Sequence, residues 1–292
     1  MLNPKHIIEY SIGRLFLGGL GLLPLPVASF IGAKIGAFVA TLPINAHTTA
    51  RRNIARAFPE KSIEEVRAIQ YAATQNLMQT ILEMPALYKL SAKNFNKYID
   101  VQGLEHIKNT PSNLLLTAHF GNWETLLKTM GHHKIPVAAI YRRANNPYMD
   151  KYITNLRHQS TGVMIAKGRA GGRNLIKAVR DNMSAAFLND QKMSDGIECT
   201  FFGQKVTAAS GIADLALKYN RGVCPVFCTR RGYGKFTVIF SAPLDIVRTG
   251  DNKQDAITNI QNFNDIIEEQ IRQKPELWLW HHKRFPKKLN PI

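Results

Sequence analysis

Residues 114–124 read LLLTAHFGNWE, an apolar run followed by a histidine and, five positions later, a glutamate. The run has the length and composition of a buried β-strand, so His119 is expected at its carboxyl end and Glu124 in the first turn of a helix. A base and a carboxylate placed in this way can act together on a hydroxyl group. The spacing alone is weak, because this composition gives roughly 0.65 chance occurrences of it. The helix dipole also favours an acid at a helix start without any catalysis.

Strand-like and helix-like patterns alternate on both sides of this stretch. Further strands are predicted at 136–141, 185–188, 223–229 and 236–240, with helices near 124–131, 148–159, 172–182, 209–219 and 256–274. Upstream, Ser62 and Glu65 form a capping-box pattern that begins a long amphipathic helix. Such alternation predicts an α/β fold with an open mixed or mostly parallel sheet flanked by helices. In such sheets ligands bind at the carboxyl ends of the strands, where His119 is expected.

The N-terminal segment has two apolar stretches. Residues 15–33 carry no charge but contain Pro24 and Pro26, and residues 35–44 are apolar again. This pattern favours two short helices that anchor the chain to a membrane, so residues 1–45 are predicted as an N-terminal helical anchor and residues 46–292 as the catalytic domain. A buried helical hairpin is the alternative. A cleaved signal peptide is disfavoured, because the apolar region is long and lacks a small-x-small exit.

The net charge of the chain indicates an anionic partner. The chain has 38 Lys and Arg residues against 21 acids, a net charge of +17, which suits a nucleic acid, an acidic carrier protein or a bilayer surface. The basic residues are spread along the chain without a dense tail. The three cysteines, Cys199, Cys224 and Cys228, are too few for a disulfide framework and are predicted to be reduced and buried. No metal site and no cofactor are predicted.

Several blocks together resemble one known family. Residues 117–124 (TAHFGNWE) are similar to the first motif of the late lipid A biosynthesis acyltransferases, within the wider His-x4-Asp/Glu glycerolipid acyltransferase superfamily. The other similar blocks are 53–60, 141–143 with 146–147, 189–191 with 201–203 and Thr207, and 275–285. The resemblance extends roughly from residue 10 to residue 286. Arg143 and Lys192 depart from the commoner pattern, which bears on fine substrate choice.

The resemblance implies transfer of a fatty acyl chain from acyl carrier protein to a hydroxyl of a lipid A precursor at the cytoplasmic face of the inner membrane. His119 would take the hydroxyl proton, since imidazole ordinarily titrates near neutrality. Glu124 would hold the other ring nitrogen. Backbone N–H groups around 121–123 are the expected oxyanion donors. The substrate-binding residues expected from the family pattern are Arg142, Asn146, Asp190, Gly203 and Arg169.

Each of these assignments has a structural alternative. Arg142 would bind an anionic group of the acceptor or form an ordinary solvated ion pair, and Arg169 presents the same choice. Asp190 would bind the acceptor sugar, brace Arg142 or cap a turn. The stretch 201–203 (FFG) would shape the acceptor site or form a core edge and turn. The aromatic and basic residues at 278–285 would lie at the level of lipid headgroups or pack in the core.

Three other functions remain to be compared with the acyltransferase. A basic nucleic-acid-binding protein is suggested by the net charge, but no recognisable binding module or dense basic cluster accompanies it. A hydrolase would use His119 and Glu124 to activate water. A related transferase would act on another glycolipid or a phospholipid, with an acyl-CoA donor.

Overall fold

The computed structural model describes residues 4–108, 113–158, 160 and 162–286. Seven strands form one sheet in the order β1-β9-β8-β2-β5-β3-β4, and β6 and β7 form a separate hairpin. The strands are β1 Ile99–Gln102, β2 Leu114–Thr117, β3 Val137–Tyr141, β4 Gly162–Ala166, β5 Ser184–Leu188, β6 Ile197–Phe201, β7 Gln204–Ala208, β8 Val223–Gly232 and β9 Lys235–Phe240. All pairs in the large sheet are parallel except β8 with β9. The predicted mixed, mostly parallel sheet is confirmed.

Strand β2 lies at the centre of this sheet because both of its faces are covered. All four of its residues are buried, and it pairs in parallel with β5 on one side and β8 on the other. A parallel strand buried on both faces reads as a continuous apolar run, which is why its position could be predicted. Strands β1, β4, β6 and β7 were not predicted, because their burial alternates or is incomplete and leaves no continuous apolar run.

Helices cover both faces of the sheet. They are α1 Pro4–Leu20, α2 Leu25–Thr41, α3 Asn45–Ala57, α4 Ile63–Tyr88, α5 Ala92–Tyr98, α6 Glu105–Lys108, α7 Glu124–His132, α8 Pro147–Arg157, α9 Arg169–Arg180, α10 Gly211–Tyr219 and α11 Asn252–Gln273, with a 3₁₀ turn at Pro275–Leu277. The capping box predicted at Ser62 and Glu65 is present at the start of α4. Two apolar clusters, one on each face of the sheet, form the core. The three cysteines are free and buried, as predicted.

The N-terminal segment forms two helices, and α2 packs tightly on α4. A Cβ at Gly32 would lie 2.7 Å from the Cα of Gln79, and one at Gly36 would lie 2.6 Å from the Cα of Gln75. Glycines at these positions let the two backbones approach each other closely. The outward faces of α1 and α2 leave large apolar side chains exposed, among them Ile12 at 66%, Leu15 at 81% and Phe38 at 67%.

Among the residues that the structure describes, no single helix has the length and apolar composition needed to cross a bilayer. The helices Leu25–Thr41 and Asn45–Ala57, bent by 88° relative to each other, pass that test only as a pair. The N-terminal anchor therefore stays a prediction.

Candidate active site

The loop after β2 is shaped by a glycine and held by a distant segment of the chain. Gly121 has a φ of +57°, and a Cβ there would lie 1.9 Å from the carbonyl oxygen of Cys228, so a larger residue does not fit. The Gly121 N–H donates to the Leu277 carbonyl at 2.9 Å, and the Leu279 N–H donates to the His119 carbonyl at 3.1 Å. His119 is thereby fixed at the carboxyl end of the central strand.

Asp190 is the carboxylate that contacts the ring of His119. It follows β5, the strand beside β2, and its Oδ1 lies 2.9 Å from His119 Nδ1. Its Oδ2 accepts the His119 backbone N–H at 2.9 Å and the indole N–H of Trp278 at 2.8 Å. Burial opposes ionisation of this carboxyl, but the charge of His119 and these hydrogen bonds hold its pKa at about 2. Asp190 is therefore an anion at neutral pH.

This contact fixes the tautomer of His119. An ionised carboxylate only accepts hydrogen bonds, so in the neutral imidazole Nδ1 carries the proton and Nε2 presents a lone pair. The side-chain amide of Gln191 lies on that side, with its Nε2 at 3.4 Å from His119 Nε2 and 3.2 Å from His282 Nε2. The His119 side chain is 19% exposed. Nε2 is thus the nitrogen that can take a proton from a substrate hydroxyl.

Glu124 does not make the predicted contact with the ring of His119. Its carboxylate accepts two hydrogen bonds from the Arg157 guanidinium, at 3.0 and 2.5 Å, and one from the Tyr88 hydroxyl at 2.8 Å. Burial opposes ionisation, but the charge and hydrogen bonds of Arg157 lower the pKa of Glu124 below its usual range. The hydrogen bond that positions the imidazole comes from Asp190 instead, and a catalytic contribution of Glu124 stays a prediction.

Side chains of helix α4 hold the loop after β2 through a buried polar network. Asn76 and Thr80 both donate to the Gly121 carbonyl, at 3.2 and 3.1 Å. The Asn122 amide donates to Glu83 at 2.7 Å, and Glu83 is paired with Arg230 from β8. This buried network therefore ties the loop to α4 and, through Arg230, to β8.

The two predicted binding residues that follow β3 are placed differently. Arg142 is exposed at the carboxyl edge of the sheet, with one nitrogen 3.5 Å from Asn145 Oδ1. Burial lowers the pKa of His282, and the charges of His119 and, less strongly, Arg142 lower it further. Asn146 is buried and caps α8, and its amide donates to the His6 carbonyl at 2.8 Å and to Glu9. The hydrogen bonds of Asn146 are therefore used to join α8 to α1.

Gly203 lies in the turn between β6 and β7. It has a φ of +67° next to Phe202 at +50°, the geometry of a two-residue hairpin turn. Phe201 and Phe202 are buried in the core, so the alternative of a core edge and turn is the one observed. Arg169 begins α9, but its side chain lies outside the part of the chain that is described.

Most of the aromatic and basic residues near the end of the chain lie in the core. Trp278 and Trp280 are buried with ring centroids 4.6 Å apart, and the Arg284 side chain is fully buried against Phe201. Packing in the core is therefore the alternative observed for Trp278, Trp280 and Arg284, whereas His282 and Lys283 are exposed. Sequence reasoning did not predict that Trp278 would bind Asp190, since indole N–H partners leave no sequence pattern.

Among the described residues, no group of three or more His, Cys, Asp or Glu side chains is arranged to hold a metal ion. The site provides an imidazole base with a charged carboxylate partner, at the carboxyl ends of the central strands. This arrangement suits proton transfer from a hydroxyl group.

Comparison with known proteins identifies the class of chemistry as acyl transfer. The chain belongs to the bacterial lipid A biosynthesis acyltransferase family, whose sequence profile matches residues 1–287. It is 26% identical over 300 residues to the lipid A biosynthesis palmitoleoyltransferase of Escherichia coli (strain K12), with 100% of this chain and 94% of that protein covered. It is 24% identical over 293 residues to the lipid A biosynthesis lauroyltransferase of the same organism, with 98% and 93% covered.

A solved structure, the 1-acyl-sn-glycerophosphate acyltransferase of Thermotoga maritima, is similar with a TM-score of 0.39 and 14% identity, over 92% of this chain and 99% of that one. The family resemblance predicted from the sequence is confirmed by the profile and by the full-length relatives, and the protein is an acyltransferase of lipid A biosynthesis.

Proposed function

We propose that the protein transfers a fatty acyl chain from the thioester of acyl carrier protein to a hydroxyl of a lipid A precursor, with His119 Nε2 as the general base. The observation that carries this mechanism is the 2.9 Å contact between His119 Nδ1 and Asp190 Oδ1. It leaves the Nε2 lone pair available for the hydroxyl proton, and the Asp190 carboxylate stabilises the imidazolium that then forms. After the tetrahedral intermediate breaks down, His119 returns the proton to the departing thiolate.

No nucleophilic side chain takes part in this mechanism. Burial raises the pKa of the Cys224 thiol to about 12 and that of Cys228 to about 11, so neither is a thiolate at neutral pH. Direct attack by the acceptor hydroxyl is the route that the described site supports. Arg142, exposed at the same edge as His119, is proposed to bind an anionic group of the acceptor.

We further propose that the enzyme lies at the cytoplasmic face of the inner membrane. The apolar side chains exposed on α1 and α2 support attachment to a bilayer, since soluble surfaces rarely carry so many together. The net charge of +17 suits both an anionic membrane surface and the acidic donor protein.

The reaction is tested with purified enzyme in vesicles, acyl carrier protein carrying a labelled acyl thioester, and a lipid A precursor. We expect labelled glycolipid, none of it with His119→Ala, and a normal rate with His158→Ala, which removes an exposed histidine beyond α8. Transfer that survives His119→Ala contradicts the mechanism. Labelled free fatty acid without acylated lipid supports the hydrolase. Transfer that occurs with an acyl-CoA donor but not with acyl carrier protein contradicts the proposed donor.

Membrane attachment is tested by flotation with vesicles that contain anionic phospholipid. The pair Leu15→Gln and Phe38→Gln is expected to weaken binding, because it places polar groups on the exposed apolar faces of both helices. Ile239→Thr, a change at an exposed apolar position of β9, serves as the control and should leave flotation unchanged. Equal flotation of all variants contradicts attachment through α1 and α2.

A further inference from the structure

Acyl transfer from a thioester needs a hydrogen-bond donor for the negative charge that forms on the carbonyl oxygen. The backbone N–H groups of residues 121–123 were the expected donors, but that of Gly121 is already engaged, since it donates to the Leu277 carbonyl at 2.9 Å. A side-chain donor close to the base would replace it.

The side-chain amide of Gln191 is placed to be that donor. Its nitrogen lies 3.4 Å from His119 Nε2, the atom to which the acceptor hydroxyl must bind. The orientation of this amide follows from Asp190. Because Asp190 holds the proton on Nδ1, His119 Nε2 only accepts, and the group of Gln191 that faces it is the NH₂.

From this geometry we propose that Gln191 is a further catalytic residue, whose amide N–H stabilises the oxyanion of the thioester intermediate, and that His282 is the positioning residue for that amide. The inference rests on the proposed function. When the acceptor hydroxyl binds to His119 Nε2, it takes the lone pair that Gln191 engages in the free enzyme. The released N–H then lies next to the reacting carbon and is free to bind its carbonyl oxygen.

The step is balanced without any further reactant. The hydroxyl oxygen bonds to the thioester carbon as its proton passes to His119 Nε2, and the carbonyl π electrons move to the oxygen that Gln191 binds. As that oxygen re-forms the carbonyl, the C–S bond breaks, and the thiolate takes the proton from His119. Gln191 exchanges no proton, so its contribution is electrostatic.

Both residues are held in place through their backbones. The Gln191 carbonyl accepts from the fully buried guanidinium of Arg284 at 3.1 Å, and the His282 carbonyl accepts from the Asn53 amide at 2.6 Å. His282 Nε2 accepts the second N–H of the Gln191 amide at 3.2 Å, which stops the amide from rotating away. A donor fixed in advance in this way costs no reorganisation during the reaction.

The test measures kcat and both KM values for Gln191→Ala, Gln191→Glu, His282→Ala and the double alanine variant. Loss of one oxyanion donor is expected to lower kcat about 100-fold in Gln191→Ala, with each KM within about twofold. His282→Ala should lose about tenfold, and the double variant should be no worse than Gln191→Ala, because His282 acts only through that amide. Gln102→Ala, a change at an exposed glutamine of β1, is the control.

Gln191→Glu separates an electrostatic role from a structural one. Glutamate keeps the shape of glutamine, so a space-filling role predicts that this variant is more active than Gln191→Ala. A carboxylate next to an oxyanion repels it, so our proposal predicts the reverse order. The proposal is overturned by that space-filling order, by a kcat of Gln191→Ala within threefold of the wild type, or by multiplicative losses in the double variant. An active His119→Ala overturns the proposed function itself, whereas an inactive His119→Ala beside a normal Gln191→Ala overturns only this inference.

Discussion

Two buried carboxylates flank the same loop, and they have different partners. Asp190 lies 71 positions after His119 and contacts its ring, whereas Glu124 lies five positions after it and contacts the Arg157 guanidinium and the Tyr88 hydroxyl. Both are almost completely buried, and both have a lowered pKa. The comparison teaches that the strand order determines which acid meets the histidine. Asp190 acts on the imidazole, and Glu124 joins α7 to α4 and α8.

The largest expected effect is that of Asp190→Asn on kcat. An asparagine can keep accepting from the His119 backbone and Trp278 only by turning its NH₂ toward Nδ1, which moves the ring proton to Nε2 and removes the base. We expect kcat to fall about 10³- to 10⁴-fold, with a melting temperature close to that of the wild type. Asp195→Asn, at an exposed aspartate nearby, should be fully active. A loss below tenfold would remove Asp190 from the mechanism.

Glu124→Gln should act mainly on stability. It leaves the largely buried Arg157 without its anion, so the free energy of unfolding should fall by about 3 kcal/mol in urea titrations. At a temperature where the variant stays folded, kcat should fall far less than in Asp190→Asn. Glu198→Gln, which breaks an exposed pair with Lys205, should change stability by less than about 0.5 kcal/mol. A stable but inactive Glu124→Gln would reverse the comparison and make Glu124 the partner of the histidine.

The lowered pKa of Asp190 should also affect the stability of the protein in acid. The pKa of Asp190 falls from an ordinary 3.8 to about 2 on folding, so its ionised form stabilises the native state above about pH 4. That contribution, about 2 kcal/mol, is lost as the pH falls from 4 toward 2. Between pH 5 and pH 3, Asp190→Asn should therefore show a smaller drop in urea midpoint than the wild type. A drop of the same size in both would contradict a lowered pKa.

The smallest effect is expected from Tyr88→Phe. It removes one hydrogen bond to Glu124 and leaves both Arg157 contacts, so we expect a loss of about 1 kcal/mol in unfolding free energy and an unchanged kcat. The Tyr88 hydroxyl stays protonated in the wild type, because burial and the Glu124 charge raise its pKa. A fall in kcat comparable to that of Asp190→Asn would show that Glu124 controls the chemistry through this contact.

The fold could be predicted where burial leaves a simple pattern. Strand β2 is four buried residues in a row, and α4 begins with a capping box, so both were predictable from local sequence. The edge strands β1 and β4 were missed, because an edge strand buries fewer of its side chains. The hairpin of β6 and β7 was missed for the same reason, although its turn at Gly203 was recognised as an alternative.

The site was predictable only in part. His119 was found because it follows a buried strand, but its partner was assigned to the nearer acid. Nothing in the sequence states that β5 lies beside β2, and that adjacency is what brings Asp190 within 2.9 Å. The contacts of Asn146 with α8 and α1 were not foreseen, since a capping asparagine and a binding asparagine have the same local sequence. The partners of Glu124 were not foreseen, because Tyr88 and Arg157 come from two other helices.

The hydrogen bonds that join His119 and Gly121 to Leu277 and Leu279 also bear on the order in which the protein is made. A ribosome adds roughly 5–20 residues per second, so the loop with the histidine is synthesised several seconds before the segment that fixes it. Trp278, which binds Asp190, and Arg284, which holds Gln191, belong to the same late segment. The proposed catalytic centre therefore lacks these contacts in the nascent chain until residues 277–284 have left the exit tunnel and docked.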